Sequence, residues 1–398
     1  MRTVEQSKQI IEPVASEVPT EVRIKGIRIV TCAFDGSGYA QGARNWIKGM
    51  SNVNVPMWIH PVSFEQDRPD LGKDFDLLDA LCRNPQEYDI NFVRLSPEVG
   101  AQFLDSRAIN ILSCAWETTL LDPHWVECCN KFDAVFVESS WSVEVFKNSG
   151  VKVPIHLVPN CVDTSLFRPK EEINSSTYKF YSIQQWIERK NGIGLLKSYY
   201  NAFSPKDDVL LVLKTYVSRV DPNQNQTEIL KEAISTLKKS LNLTKGYAPV
   251  YLITEKLTNE AVRALHNDCD CYVLLDRGEG LGLPYMDAAA AANPIISTDF
   301  GGSRQFLNES NSYPVNYQLT FVDNMGWNQF YHGEQMWAEP NLPHAAELMR
   351  HVFDNREEGF MLGKKAHQDM IDFYNSERIT QLLLSSIADV VAAKRGIR

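Results

Sequence analysis

The segment Asp276-Arg277-Gly278-Glu279-Gly280-Leu281-Gly282-Leu283-Pro284-Tyr285-Met286-Asp287 concentrates residue types that can do chemistry, and an alanine-rich run follows it. Glycines at 278, 280 and 282 remove side chains where a ligand approaches the backbone. Pro284 suits a first helical turn, where its missing N–H removes no bond. The free N–H groups before and within that turn make an anion site that the helix dipole reinforces. Two carboxylates, Glu279 and Asp287, flank the site. They repel a bare phosphate and accept instead from hydroxyls. The segment therefore predicts a ligand that carries both a diphosphate and vicinal hydroxyls, as a nucleotide-sugar does. A structural reading stands beside it, because glycine-rich strand-to-helix turns also close tight connections in α/β proteins that bind nothing there.

Such a turn needs a strand before it and a helix after it, and the surrounding pattern supplies both. Strands are expected at 178–183, 209–213, 250–253, 271–275 and 294–297, separated by helices. In the helix 228–241, Leu230, Ile234, Leu237 and Leu241 recur at three- and four-residue spacing along one apolar face. Thr227 and Thr258 stand where helix N-caps belong. The first half of the chain alternates likewise. A β-branched run at 27–34 leads through the turn residues Asp35-Gly36-Ser37-Gly38 into a helix through Trp46 and Met50, and strands follow at 56–59, 89–94, 108–112, 134–137 and 156–159. The class is α/β, with two Rossmann-like parallel-sheet domains whose strand C-termini are expected to face each other. The expected divisions are a flexible arm at 1–24, an N-terminal domain at 25–168, a C-terminal domain at 169–374, and a helix at 375–398 that crosses back to the N-terminal domain.

Bulk properties narrow the function. A chain of 398 residues exceeds what one core usually organises, which agrees with two domains. No run of about 18 apolar residues occurs, and the early acidic residues Glu5, Glu12 and Glu17 break the order of a signal peptide, so a cytoplasmic protein without a transmembrane segment is expected. Neither Cys128-Cys129 nor Cys269-x-Cys271 has zinc-site spacing, and no metal is expected. The net charge of −10 argues against nonspecific nucleic-acid binding, which needs cations for phosphates.

The spacing Glu279-x7-Asp287, followed by Asn293-Pro294-Ile295-Ile296-Ser297 and Gly301-Gly302, resembles the Glu-x7-Glu signature of family 4 retaining glycosyltransferases with the GT-B fold. Other landmarks fall in that family's order. Ser37-Gly38-Tyr39 with Ala43-Arg44-Asn45 resembles its N-terminal glycine loop. Pro159-Asn160-Cys161-Val162-Asp163 with Phe167-Arg168-Pro169 resembles its linker, and Arg189-Lys190 resembles its diphosphate clamp. Trp116-Glu117-Thr118 and Trp337-Ala338-Glu339-Pro340 are similar to one branch of the family. The likeness runs from about Ile27 to the C-terminal helices.

The resemblance implies that the N-terminal domain takes the acceptor and the C-terminal domain the donor. It implies that Glu279 holds donor-sugar hydroxyls, that Asp287 binds the ribose diol, and that the amides around Leu281, Gly282 and Leu283 meet the sugar and β-phosphate. Arg189 and Lys190 then neutralise the diphosphate, and Gly38 belongs to the glycine loop. A UDP- or GDP-sugar is implied as the donor, with no further cofactor and no metal. Departures from the family pattern are visible. Asp287 is one methylene shorter than the usual Glu, Cys161 replaces a common Gly, and Gln185 stands where many members place the first clamp arginine. Where many members have a histidine beside the donor sugar, the strand here leads into Trp116-Glu117, and Glu117 is the stand-in.

Lys214 ends a C-domain strand and is expected either at the donor site or as a solvated strand end. Trp116, Trp125, Trp141 and Trp186 either line a sugar site or pack in the core. Asp268-Cys269-Asp270 matches a metal-binding Asp-x-Asp, yet it precedes a strand instead of following one and reads as helix-end polarity. Gly36-x-Gly38-x3-Gly42 invites an NAD(P) oxidoreductase reading, but the next strand ends at Ile59-His60-Pro61 without the acidic residue that would hold a ribose. A binding or scaffold protein that kept the fold and lost catalysis is the other alternative. The acceptor is a hydroxyl whose class stays open among glycan, lipid-linked sugar, protein and modified nucleobase.

Overall fold

The computed structural model describes residues 24–64, 69–171, 176–217 and 224–396. The arm expected at 1–24 lies outside them except for Ile24. The described chain forms two compact units, one of residues up to 163 with 301–306 and 372–396, the other of 164–300 with 307–371.

The first unit is built on a six-stranded sheet in the order β2-β1-β3-β4-β5-β6, formed by β1 (Ile27–Thr31), β2 (Met57–Pro61), β3 (Ile90–Arg94), β4 (Ile109–Ser113), β5 (Ala134–Val137) and β6 (Ile155–Leu157). Every neighbouring pair is parallel. Parallel strands are covered by helices on both faces, which is why β3, β4 and β5 are buried at every residue instead of alternating. The first strand stops at Thr31, short of the expected 34, because the turn begins earlier: the Asp35 N–H already bonds the Cys32 carbonyl at 3.0 Å. Helix Gly38–Asn52 follows, with the Ser37 hydroxyl accepting from the Ala40 N–H, and it buries Ala40, Ala43, Trp46, Ile47 and Met50 at helical spacing. The C-terminal helix Ser376–Arg395 belongs to this unit. A Cβ added at Gly49 would lie 2.0 Å from Thr380 Oγ1, so Gly49 permits the close approach, and Lys394 and Arg395 pair with Asp133 and Asp89, each at 2.6 Å.

The second unit carries a parallel sheet in the order β12-β11-β10-β7-β8-β9. Its strands are β7 (Tyr178–Gln185), β8 (Val209–Tyr216), β9 (Val250–Ile253), β10 (Cys271–Leu274), β11 (Ile295–Thr298) and β12 (Tyr313–Val315). Its core includes a group of aromatic residues, with Tyr178, Phe180, Tyr199, Tyr200 and Phe203 packed on Leu211, Leu213 and Val273. Strands β7 and β8 run past their expected ends to Gln185 and Tyr216, since the ladder pairs Ile183 with Lys214 and Gln184 with Thr215. Backbone pairing continues there although the apolar pattern has stopped.

Two local expectations are corrected. The cap of helix Gln226–Leu241 is Asn225, whose side chain accepts from the Thr227 N–H, so Thr227 lies within the first turn. Thr258 does cap Asn259–Asp268. An antiparallel hairpin of β13 (Tyr317–Phe321) and β14 (Met336–Pro340) occupies a stretch with no expected strand. After β14 the chain turns helical at Leu342, behind an Asn341 cap.

Candidate functional site

In the second sheet the strands run β7-β8-β9 one way from β7 and β10-β11-β12 the other way, so β7 and β10 are neighbours at the point where the order reverses. Ligands of open parallel sheets bind outside the strand C-termini at such a switch point. After β7 the chain makes a single 3₁₀ turn, Glu188–Lys190, and enters helix Gly192–Ala202. Asn191 caps that helix from a left-handed φ of 53°; its Oδ1 accepts from the Gly194 N–H and its Nδ2 donates to the Leu275 carbonyl. After β10 the glycine-rich loop leads to helix Leu283–Ala290, capped by Gly282 at φ 90° with Pro284 in the first turn. A Cβ at Gly282 would fall 2.5 Å from Tyr285 Cδ2, so the glycine is needed for both its φ and its space.

These two connections bring Arg189, Lys190 and Glu279 together. Arg189 Nη1 donates to the Gly278 carbonyl at 2.6 Å and to Glu279 Oε1 at 3.2 Å, and Lys190 Nζ donates to the same carboxylate oxygen. All three are largely buried. Burial alone would push the Glu279 pKa up, but the charges of Lys190 and Arg189 outweigh it and hold the carboxyl below its usual value. Asp276 has the opposite fate. It is 1% exposed, and burial, with the Glu279 charge next, raises it to about 7. Its Oδ2 accepts from the Tyr285 hydroxyl at 2.5 Å. The arrangement is a pair of cations at the start of one helix, a helix N-terminus facing the same loop, and carboxylates of divided protonation beside them.

Asp287 lies in the second turn of helix Leu283–Ala290, partly buried, and burial raises it to about 7 against the opposing charge of Arg263. Leu281 is buried and Leu283 opens the helix. Lys214 sits in β8, one strand from β7, 9% exposed, with its Nζ 5.8 Å from the Tyr216 ring centre and its pKa lowered by burial. It is thus not the solvated strand end that was one of its two readings. In the first unit, Gly38 starts its helix with open space where a Cβ would stand. The next residue, Tyr39, exchanges hydrogen bonds between its hydroxyl and the backbone of Ala115, and the Glu117 charge is close enough to raise the tyrosine pKa, after burial and Cys114. Gly38 and Glu117 therefore flank one tyrosine.

Of the tryptophans, Trp116 and Trp125 pack on one another at 4.6 Å inside the first unit, whereas Trp186 lines a cavity. Asp270 accepts from Lys170 Nζ at 2.5 Å and from the Lys179 N–H at 2.7 Å, which gives the Asp-x-Asp match a structural purpose. Two neighbours of the site were not singled out by sequence. Asp276 had a signal, as the acidic residue just beyond a strand C-terminus. Arg277 had none: its N–H bonds the Arg189 carbonyl at 2.7 Å, and its guanidinium bonds Glu188 at 2.5 Å and Glu339 at 2.7 Å over the Trp337 ring.

No family model and no curated protein matches the sequence. Solved structures do match in shape. Sucrose-phosphate synthase from Thermosynechococcus elongatus is 16% identical over 93% of this chain and 100% of its own, with a TM-score of 0.65. HepE from Anabaena, solved in complex with UDP-glucose, is 12% identical over 92% of this chain and 100% of its own, with a TM-score of 0.63. TarM from S. aureus is 15% identical over 76% of this chain and 55% of its own, with a TM-score of 0.55. The fold is GT-B. Within it, the cations, glycine loop and carboxylates described above all belong to the second Rossmann-like unit.

Proposed function

We propose that this GT-B chain is a glycosyltransferase that moves a sugar from a nucleotide-sugar to an acceptor hydroxyl with retention of anomeric configuration and without a metal. The observation that carries the reading is the meeting of Arg189, Lys190 and Glu279 at the β7–β10 switch point, beside the N-terminus of helix Leu283–Ala290. A nucleoside diphosphate needs cations and amides, a sugar needs a hydroxyl acceptor, and this loop offers both within one side chain's reach. The binding of UDP-glucose by HepE, a structure of the same fold, supports the donor class.

In the proposed reaction the bond between the anomeric carbon and the diphosphate oxygen breaks, and its electron pair leaves with the nucleoside diphosphate. The acceptor oxygen bonds the anomeric carbon from the same face and gives its proton to a β-phosphate oxygen. Arg189, Lys190 and the amides of Leu281, Gly282 and Leu283 stabilise the charge that develops on the leaving group. Glu279 accepts from sugar hydroxyls and Asp287 from the ribose diol, while Lys214 adds positive charge on the neighbouring strand. Gly38 and Glu117 are the first unit's proposed contributors. Burial of the cations keeps water from screening them, which makes each worth more than on a surface.

Release of free nucleoside diphosphate from a panel of UDP- and GDP-sugars tests the reading. Slow hydrolysis of one donor that disappears in both Glu279→Ala and Arg189→Ala supports it. No release and no thermal stabilisation by any donor would instead leave a GT-B protein that has lost catalysis. Inverted product anomers would remove the retaining assignment alone.

A further inference from the structure

A cavity of about 390 Å³ opens in the second unit, lined in part by Trp186, Ile187, Glu188, Asn191, Asn324 and Trp327. This volume falls within the range of small-molecule sites, roughly 300–1,000 Å³. Its relation to the 3₁₀ turn separates it from the Arg189 and Lys190 cluster. Glu188 and Asn191 both line the cavity, whereas the Arg189 and Lys190 side chains between them reach Glu279 instead. The far side comes from the loop between β13 and β14. That loop has its own small core of Val322, Met325 and Trp337, with Tyr331 packed against it, and Asn328 N–H bonds the Met325 carbonyl at 2.8 Å. Trp327 is therefore presented by a built loop while remaining 42% exposed.

The chemistry of the lining selects the ligand. Two indoles offer flat apolar surface, and an amide and a carboxylate offer acceptors. None of the described lining residues is cationic, and the adjacent Arg277 is engaged by Glu188 and Glu339. Arg277 is shared by two carboxylates, so the Glu188–Arg277–Glu339 cluster is net negative and would repel a phosphate or nucleotide. An uncharged ring with apolar faces and a rim of hydroxyls meets both indole and carboxylate well. We propose that this cavity is a second carbohydrate site, which holds a neutral pyranose unit of an oligosaccharide apart from the donor site. The inference does not depend on the transferase reading, since it uses none of the residues assigned to the donor.

Titration calorimetry of the full chain with maltotetraose, cellotetraose and chitotetraose tests it, with UDP titrated in parallel. At least one tetrasaccharide is expected to bind, to weaken about tenfold in Trp327→Ala, which corresponds to the loss of one aromatic stacking contact, and to bind equally well in the presence of saturating UDP. Trp327→Phe should recover part of the loss, which a folding defect would not. Binding of none of the three, equal binding in Trp327→Ala, or competition between tetrasaccharide and UDP would each overturn the proposal. If no nucleotide-sugar is turned over but the tetrasaccharide result holds, the second site stands and the transferase reading falls.

Discussion

Arg189 and Glu279 are 90 residues apart in the chain and 3.2 Å apart in space. Both are nearly buried, and Lys190 shares the same carboxylate oxygen. Two cations and one carboxylate leave a local excess of positive charge in a poorly solvated place, which is what an incoming diphosphate would neutralise.

Glu279→Ala leaves Arg189 and Lys190 buried without their anion. Breaking a buried ion pair from one side costs on the order of 3–5 kcal/mol, so a clear fall in thermal midpoint is expected. Addition of UDP should raise that midpoint by more in the variant than in the parent, because the diphosphate replaces the missing carboxylate. Differential scanning fluorimetry with and without UDP checks both, and an equal UDP shift in the two proteins would contradict the assigned roles of Arg189 and Lys190.

Asp276 and Asp287 give stability a pH dependence. Both are raised to about 7 in the fold, whereas an unfolded aspartate releases its proton near about 3.9. Between those values the folded state binds more protons than the unfolded one, so stability falls as pH rises, by up to about 1.4 kcal/mol per pH unit for each group. The contribution is present in full below the unfolded pKa and lost as pH climbs through about 7. Glu279 has the opposite sign, and its effect lies below the ordinary glutamate range. Urea midpoints from pH 4.5 to 7.5 should slope downward in the parent and less steeply in Asp276→Asn.

Gly282→Ala meets two obstacles, a φ of 90° and a Cβ position 2.5 Å from the Tyr285 ring. Tyr285 cannot move freely, because its hydroxyl is held by Asp276 and by the Leu274 carbonyl. A loss of about 1–3 kcal/mol is expected from the backbone strain. The first-turn amides should shift with it, so donor KM rises more than kcat falls.

Arg277→Ala removes the link from the 3₁₀ turn to β14. Hydrogen bonds to charged groups are worth about 1.5–3 kcal/mol, and the variant should lose about that much stability, while donor affinity drops because Glu188, next to Arg189, loses its partner. Arg277→Lys should restore little, since an ammonium lacks the planar fork that spans Glu188 and Glu339. Full recovery in the lysine variant would mean that charge alone suffices.

Much of this chain was legible in one dimension because the relevant signals are local. Apolar runs at 134–137 and 250–253 became β5 and β9 residue for residue, and the glycine-proline pattern at 278–284 marked a strand-to-helix turn from backbone rules alone. The overrun of β7 and β8 and the hairpin of β13 and β14 escaped, since there the ladder hydrogen bonds, not hydropathy, make the strand. Which strands become neighbours is not a local property. Tertiary structure alone placed β7 against β10, and with them Arg189 and Lys190 against Glu279. It also drove two carboxyls apart: Asp276 and Glu279 are three residues apart and both acidic by type. Burial raises the pKa of one, and two imported cations lower that of the other.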